Sequence, residues 1–217
     1  MSDSFMVAAR IPLSREGFEA WLRTPVENLG VISNPEAMFD GWLWNDRRAD
    51  TEWDSVETGT TPAAYFAERV DASCEGDEEC GVLRYHDGAL EAYLLHFGYS
   101  ERSVHTALLM LAAAGAVKSE PTEDTVLFWA ETGANLWPAD ASGWLAVLSV
   151  SRDGARFVRS RDLTSTVAGL RPVESRFFDL VERLSEESEE WDWDSGEDFR
   201  TETPRDPAFT DPAMLNP

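Results

Sequence analysis

The spacing of apolar side chains predicts most of the secondary structure before composition is considered. Residues 4–11 form an apolar, β-prone run that Pro12 ends, a pattern typical of a first strand. A helix should follow at once, because Ser14 is a suitable N-cap and Phe18 and Leu22 recur at helical spacing. This helix is expected to pack onto the sheet.

Two Asp-Gly pairs, each between β-prone runs, predict β-hairpins with turns at Asp87-Gly88 and Asp153-Gly154. The first turn fixes a register in which Arg84 faces Glu91 across the hairpin. Alternation places a set of larger apolar or aromatic side chains on the opposite surface, namely Leu83, Tyr85, Leu90 and Leu94. One face of this hairpin is therefore expected to be half-buried.

Further elements follow from capping residues and apolar spacing. Thr61 followed by Pro62 predicts a second helix, Ser100 caps a third and most apolar helix, and Pro172 begins a last, amphipathic one. A strand is expected at residues 125–130. The order of these elements predicts an α+β fold, with a mostly antiparallel sheet built around the two hairpins and packed by helices.

The pattern divides the chain into two parts. Residues 1–185 are predicted to form a single α+β domain, long enough to bury a substantial core. In residues 186–217 acids alternate with aromatic residues and are followed by four prolines. That composition favours a disordered acidic tail.

The net charge of −23, from 41 acidic and 18 basic residues, is unevenly distributed. Residues 40–80 hold 12 acids and 3 Arg, and residues 185–217 hold 11 acids and 2 Arg. Such a field repels nucleic acid and anionic lipid and attracts basic protein surfaces. Salt adaptation also produces acidic, lysine-poor chains, and this chain has one lysine, Lys118, so that alternative stays open.

Several features point to a cytoplasmic protein without metal or cofactor. No run of about 18 uncharged apolar residues predicts a membrane span, and the N-terminus lacks the basic residues of a secretory signal. Cys74 and Cys80 do not make a disulfide framework, and their spacing matches no zinc pattern.

The sequence contains no recognisable catalytic motif. His86, His96 and His105 have no nucleophile elbow or comparable motif beside them, and the glycines lack phosphate-loop or dinucleotide spacing. The sequence therefore predicts a protein that is not an enzyme. The alternative is an enzyme or ligand-binding domain whose pocket over the sheet uses His96, Tyr85 or Tyr93.

The acidic segments that also carry tryptophan are the candidate partner-binding surface. Tryptophan side chains can anchor an interface while carboxylates steer toward Arg and Lys clusters. The alternative is that the tryptophans belong to the core and the acids form a solvated face. The predicted partner-binding residues are Asp46, Asp50, Glu52, Trp53, Asp54, Glu57, Glu75, Asp77, Glu78, Glu79, Trp191 and Trp193.

Together these features lead to the expectation of a non-enzymatic binding protein with a basic protein partner. An immunity protein or antitoxin that masks the basic active site of a nuclease-like bacterial toxin has this character. A DNA-mimic protein belongs to the same physical class, but it needs carboxylates spaced like phosphates, which a sequence does not reveal.

Overall fold

A six-stranded antiparallel sheet is the framework of the protein, as seen in a computed structural model. The structure describes residues 4–39, 53–70, 80–95, 101–131, 145–158 and 211–215, together with positions 168, 171 and 175. The strands are β1 (Ser4–Pro12), β2 (Cys80–His86), β3 (Ala89–Leu95), β4 (Asp124–Glu131), β5 (Leu145–Ser151) and β6 (Gly154–Val158). Their spatial order is β2-β3-β1-β4-β5-β6, and each neighbouring pair is antiparallel.

Helices accompany this sheet, so the α+β class predicted from the sequence is confirmed. The described helices are α1 (Arg15–Arg23), α2 (Pro62–Val70), α3 (Glu101–Ala113) and the short α4 (Pro212–Leu215). Three 3₁₀ turns lie at Leu29–Val31, Pro35–Phe39 and Ala114–Val117. The Ser14 hydroxyl accepts a hydrogen bond from the Gly17 N–H at 3.0 Å, which satisfies a donor that the first turn of α1 leaves free.

The first strand in the chain lies at the centre of the sheet. Val7 in β1 pairs with Leu94 of β3 on one side and with Phe128 of β4 on the other. Strand order depends on such long-range pairings, which local sequence patterns do not encode.

The two hairpins turn in different ways. In the first, Asp87 and Gly88 both have positive φ, 51° and 70°, and the pairing brings Arg84 opposite Glu91. In the second, Ser151 pairs with Gly154, so the turn occupies residues 152–153, one position earlier than the Asp-Gly pair suggested. The positive φ of 124° falls on Gly154 as the first residue of β6, and neither turn residue has the positive φ of the type I′ turn.

The main core lies between one face of the sheet and the helices. Phe18, Trp21 and Leu22 of α1 enter it, and the Trp21 indole N–H donates to the Met110 carbonyl of α3 at 2.8 Å. All residues from 104 to 112 of α3 are buried, so this helix is enclosed on every side. The opposite sheet face is buried at its centre as well.

The C-terminal residues cover the backbone of β2, the edge strand on one side. The Asp211 N–H donates to the Leu83 carbonyl at 3.0 Å, and the Asp211 carboxylate accepts from the Tyr85 N–H at 3.1 Å. Met214 is buried in the core beside this contact. Residues 211–215 are therefore ordered and docked, which corrects the prediction of disorder for the end of the 186–217 segment.

The opposite edge, strand β6, is covered in a similar way. The Ser33 N–H donates to the Ala155 carbonyl at 2.9 Å. The Asn34 side chain pairs with the backbone of Phe157, donating to its carbonyl at 3.0 Å and accepting from its N–H at 2.7 Å. Both edges of the sheet are thus partly occupied by other segments of the same chain, which limits edge-to-edge association.

Other predicted features lie outside the described residues: the Ser100 cap, the helix beginning at Pro172, and the tail from residue 186 to residue 210. Within the described ranges, no helix has both the length and the apolar character needed to cross a membrane.

Candidate functional site

Charged groups buried in the described framework are each held by neighbours. Glu91, Lys118 and Asp211 are the buried acidic and lysine side chains in the described ranges, and each lies close to an oppositely charged group. Burial of an unpaired charge costs several kcal/mol, so such pairing is expected. These pairs compensate the charges that the described part of the chain buries.

Glu91 lies at the centre of a cationic cluster on the sheet face opposite the main core. Its carboxylate is 1% exposed and lies 3.4 Å from Arg84 of β2 and 3.7 Å from Arg10 of β1. The Nδ1 atom of His86 is 3.5 Å from the same carboxylate. The Arg84 contact follows from the hairpin register, whereas the Arg10 contact depends on β1 lying beside β3.

The Glu91 cluster has the character of a structural ion-pair network. Two guanidinium groups surround one carboxylate, and together they join β1, β2 and β3 across the sheet. The arrangement therefore links the three strands through charged side chains on one face of the sheet.

Arg15 and Asp211 form a second site, between the first turn of α1 and the C-terminal residues. The guanidinium donates to both oxygens of the carboxylate, at 2.7 and 2.9 Å, in the bidentate geometry that gives the strongest ion pairs. Its Cζ atom lies 5.4 Å from the Phe18 ring centroid and 5.5 Å from that of Tyr85. The guanidinium thus lies against two neighbouring aromatic rings.

The ionisation of Asp211 reflects two opposed effects. Burial by itself would raise the pKa of Asp211, but hydrogen bonds from Arg15, the Ala213 N–H and the Tyr85 N–H outweigh it and lower the pKa below its ordinary value. The same hydrogen bond raises the pKa of Arg15. Asp211 is therefore a carboxylate at neutral pH.

Sequence patterns did not reveal the Arg15–Asp211 site, because its two partners are 196 positions apart. One local signal was present. A basic side chain in the first turn of a helix opposes the helix dipole, so Arg15 needs a compensating acidic partner. The Glu19 carboxylate, 3.0 Å from the Arg15 guanidinium, provides one negative charge, and Asp211 provides a second.

Trp53 is a core residue and does not offer its ring to a partner, which corrects its predicted role as an interface anchor. It is 2% exposed, stacks on His105 of α3 with ring centroids 4.3 Å apart, and meets Phe157 of β6 edge-on at 6.1 Å. The ring holds the chain where residues 40–52 rejoin the framework. Met38, just before that segment, is also buried.

Two other predicted partner-binding residues are described and lie at the surface. Asp54 is exposed, and Glu57 is partly exposed with its carboxylate 3.9 Å from Arg102. The Glu57 N–H is held by the Thr106 hydroxyl of α3 at 3.2 Å. The rest of the predicted set lies outside the described residues: Asp46, Asp50, Glu52, Glu75, Asp77, Glu78, Glu79, Trp191 and Trp193.

The alternative pocket over the sheet gains no support from its tyrosines. Tyr85 faces the helices beside Phe18, whereas the strand alternation places Tyr93 on the opposite face with Glu91. The two side chains therefore do not line one pocket, and His96 lies outside the described residues. In the described ranges, no group of three or more His, Cys, Asp or Glu side chains is placed to hold a metal ion.

Lys118 is the remaining buried charge, and it closes a loop. Its ammonium donates to the Thr122 carbonyl at 2.7 Å and to the Thr122 hydroxyl at 3.3 Å, and it pairs with the Asp124 carboxylate at the start of β4. Burial lowers the pKa of Lys118, although nearby Glu120 acts in the opposite direction. The positive charge of Lys118 is thus enclosed by the loop of residues 118–124.

Comparisons with known proteins add no assignment to this geometry. No protein-family model matches the chain, and neither a curated protein nor a solved structure does.

Proposed function

We propose that this chain is a non-enzymatic acidic protein that binds a basic protein in the cytoplasm and masks its active site. An immunity protein or antitoxin directed against a nuclease-like bacterial toxin is the form of this function that the charge favours most. The observation that supports the proposal is the concentration of acidic side chains in two stretches of sequence, residues 40–80 and 185–217, which together hold 23 of the 41 acids.

The negative charge is concentrated in two stretches of the sequence. Residues 40–80 carry 12 acids and 3 Arg, and residues 185–217 carry 11 acids and 2 Arg, so these two stretches supply −18 of the net charge of −23. On the framework, the buried acids Glu91 and Asp211 are matched by arginines. Most of the excess negative charge therefore lies in these two stretches of sequence.

The framework holds these segments at defined points. Residues 40–52 lie between the buried Met38 and the buried Trp53, and residues 71–79 join α2 to β2. The stretch from 176 to 210 ends at the Arg15–Asp211 pair. Fixing the ends of a segment lowers the entropy lost on binding, so these attachments favour affinity for a partner.

The chemistry of such a partner follows from the charge. Closely spaced carboxylates accelerate encounter with an Arg- and Lys-rich surface, and this attraction weakens as salt is added. A nuclease must present cationic groups to bind the phosphates of its substrate. Its substrate cleft is therefore a natural binding site for an acidic protein.

A charge-matched pair of variants tests the proposal. The first neutralises four acids of the predicted partner-binding set, and the second neutralises four exposed acids outside that set, so that the net charge rises from −23 to −19 in both. The test variant carries Asp46→Asn, Asp50→Asn, Glu52→Gln and Asp54→Asn. The control carries Glu27→Gln, Glu36→Gln, Glu120→Gln and Asp153→Asn.

Each protein is immobilised and exposed to native-host extract at about 50 and 500 mM salt, and the activity of any retained protein is then assayed with and without added chain. We expect a basic protein whose activity the chain blocks, with affinity lowered about tenfold or more in the test variant and little in the control. Retention of no basic partner, or equal retention by both variants, would contradict the proposal.

A further inference from the structure

Lys118 is the only lysine in the 217 residues, since the remaining basic side chains are all arginines. Its Nζ atom is therefore the one side-chain amine that the chain offers to acylating reagents. Guanidinium groups stay protonated in proteins and are not targets of the acyl modifications that lysine accepts. All lysine-directed chemistry on these residues thus depends on a single site.

The fold closes that site completely. The Lys118 side chain is 0% exposed, and its ammonium is surrounded by the Thr122 carbonyl, the Thr122 hydroxyl and the Asp124 carboxylate. These three acceptors match the three hydrogens that an ammonium can donate. The loop from 118 to 124 wraps around the charge, between the 3₁₀ turn and β4.

Acylation requires that this arrangement opens. The attacking amine must carry a lone pair, so the ammonium must first lose a proton to water, and the acyl carbon must then reach Nζ. Neither step is possible while the side chain is enclosed and its ion pair with Asp124 is intact. Both become possible once the loop unfolds.

We propose that Lys118 is a modification site gated by folding, which accepts activated carboxyl groups such as thioesters or acyl phosphates only when the 118–124 loop has opened. The Nζ–carbonyl bond forms, the bond from the carbonyl to the thiolate or phosphate breaks, and one proton leaves the nitrogen. A lysine-directed tag would therefore mark opened chains and spare folded ones. This inference is independent of the partner proposed above.

Competitive acetylation in one molecule tests the gate. The variant Arg156→Lys introduces a second lysine at a position whose side chain is 59% exposed, and it serves as the internal reference. The protein is treated with the N-hydroxysuccinimide ester of acetic acid, and the two peptides are quantified by mass spectrometry. We expect Lys118 to react about 100-fold or more slowly in the folded protein and at a similar rate in concentrated urea.

A matched pair of loop variants separates the gate from general unfolding. Asp124→Asn removes the ion pair and should speed acetylation of Lys118 about tenfold while circular dichroism shows a folded protein. Glu120→Gln removes an exposed acid of the same loop that raises the pKa of Lys118 only through its charge, so it should speed the reaction much less than Asp124→Asn. Comparable rates for both lysines in the folded protein, or slow reaction of Lys118 in urea, would overturn the proposal. If Asp124→Asn does not fold, the comparison with Arg156→Lys decides alone.

Discussion

Arg15 and Asp211 join the first helix to the C-terminal residues through a bidentate ion pair that bridges 196 positions of sequence. The carboxylate also accepts the Tyr85 N–H, and the Asp211 N–H donates to Leu83, so one residue connects helix and strand edge. The acidic stretch that precedes Asp211 is consequently attached at its C-terminal end.

Loss of either partner should destabilise the fold. Asp211 is 4% exposed, so Arg15→Gln leaves a buried carboxylate without its cation, whereas Arg15 itself is 39% exposed and solvent compensates in part. We expect Arg15→Gln and Asp211→Asn each to lower the free energy of unfolding by about 1–3 kcal/mol. Urea denaturation of the two variants measures this.

The double variant gives the coupling between the two groups, and a less than additive loss is expected. Arg23→Gln is the matched control, since Arg23 is 55% exposed and lies 3.7 Å from Glu19. It should change stability by about 0.5 kcal/mol or less. If Arg15→Gln and Arg23→Gln lower the free energy of unfolding equally, the Arg15–Asp211 ion pair does not contribute to stability.

Acid should weaken the stabilisation that the Arg15–Asp211 ion pair gives to the fold. The pKa of Asp211 in the folded chain lies below the 3.8 of the unfolded chain, so the unfolded state takes up a proton first as the pH falls. The stabilisation is complete above about pH 5 and is lost as the pH falls through 3.8 toward the folded-state pKa. The urea midpoints of the wild type and Asp211→Asn should therefore converge below that pH, and a constant difference would contradict the assignment.

The Glu91 network should be more sensitive than the surface pairs. Glu91→Gln leaves Arg84, which is 11% exposed, without its anionic partner. We expect a loss of about 2–4 kcal/mol in the free energy of unfolding, measured by urea denaturation. Glu123→Gln is the control, because its carboxylate is 59% exposed beside Arg156, and a loss as large as that of Glu91→Gln would refute the argument from burial.

Removal of the Asn34 side chain should uncover the β6 edge. Asn34→Ala deletes both hydrogen bonds to the Phe157 backbone and should cost about 1–3 kcal/mol. The exposed edge should also increase self-association, measured by light scattering. Asn28→Ala, which removes a single exposed hydrogen bond to Gly30, is expected to leave association unchanged.

Local signals in the sequence predicted local structure well. The Ser14 cap, the Thr61-Pro62 helix start and the pairing of Arg84 with Glu91 are all present in the structure, because each depends on residues close together in the chain. The second turn was misplaced by one position. Asp-Gly suits the centre of a type I′ turn, but here Gly154 follows the turn and begins β6.

Long-range relationships were not accessible from the sequence. The acidic residues beside Trp53 in the sequence do not show whether its ring faces a partner or the core. The contact that places it in the core is with His105, a residue 52 positions further along the chain. Asp211 looks like any other acid of the tail until Arg15 is placed beside it. Such contacts depend on the packing of whole elements, which local spacing does not determine.

The central place of β1 has a consequence for synthesis of the chain. Strand β1 is translated before β3 and β4, yet it needs both as neighbours, with Val7 paired to Leu94 and Phe128. At ribosomal speeds the roughly 120 residues between β1 and the end of β4 take on the order of ten seconds to make. During that interval an apolar strand leaves the ribosome without its partners, so this protein should depend on chaperones that shield nascent strands.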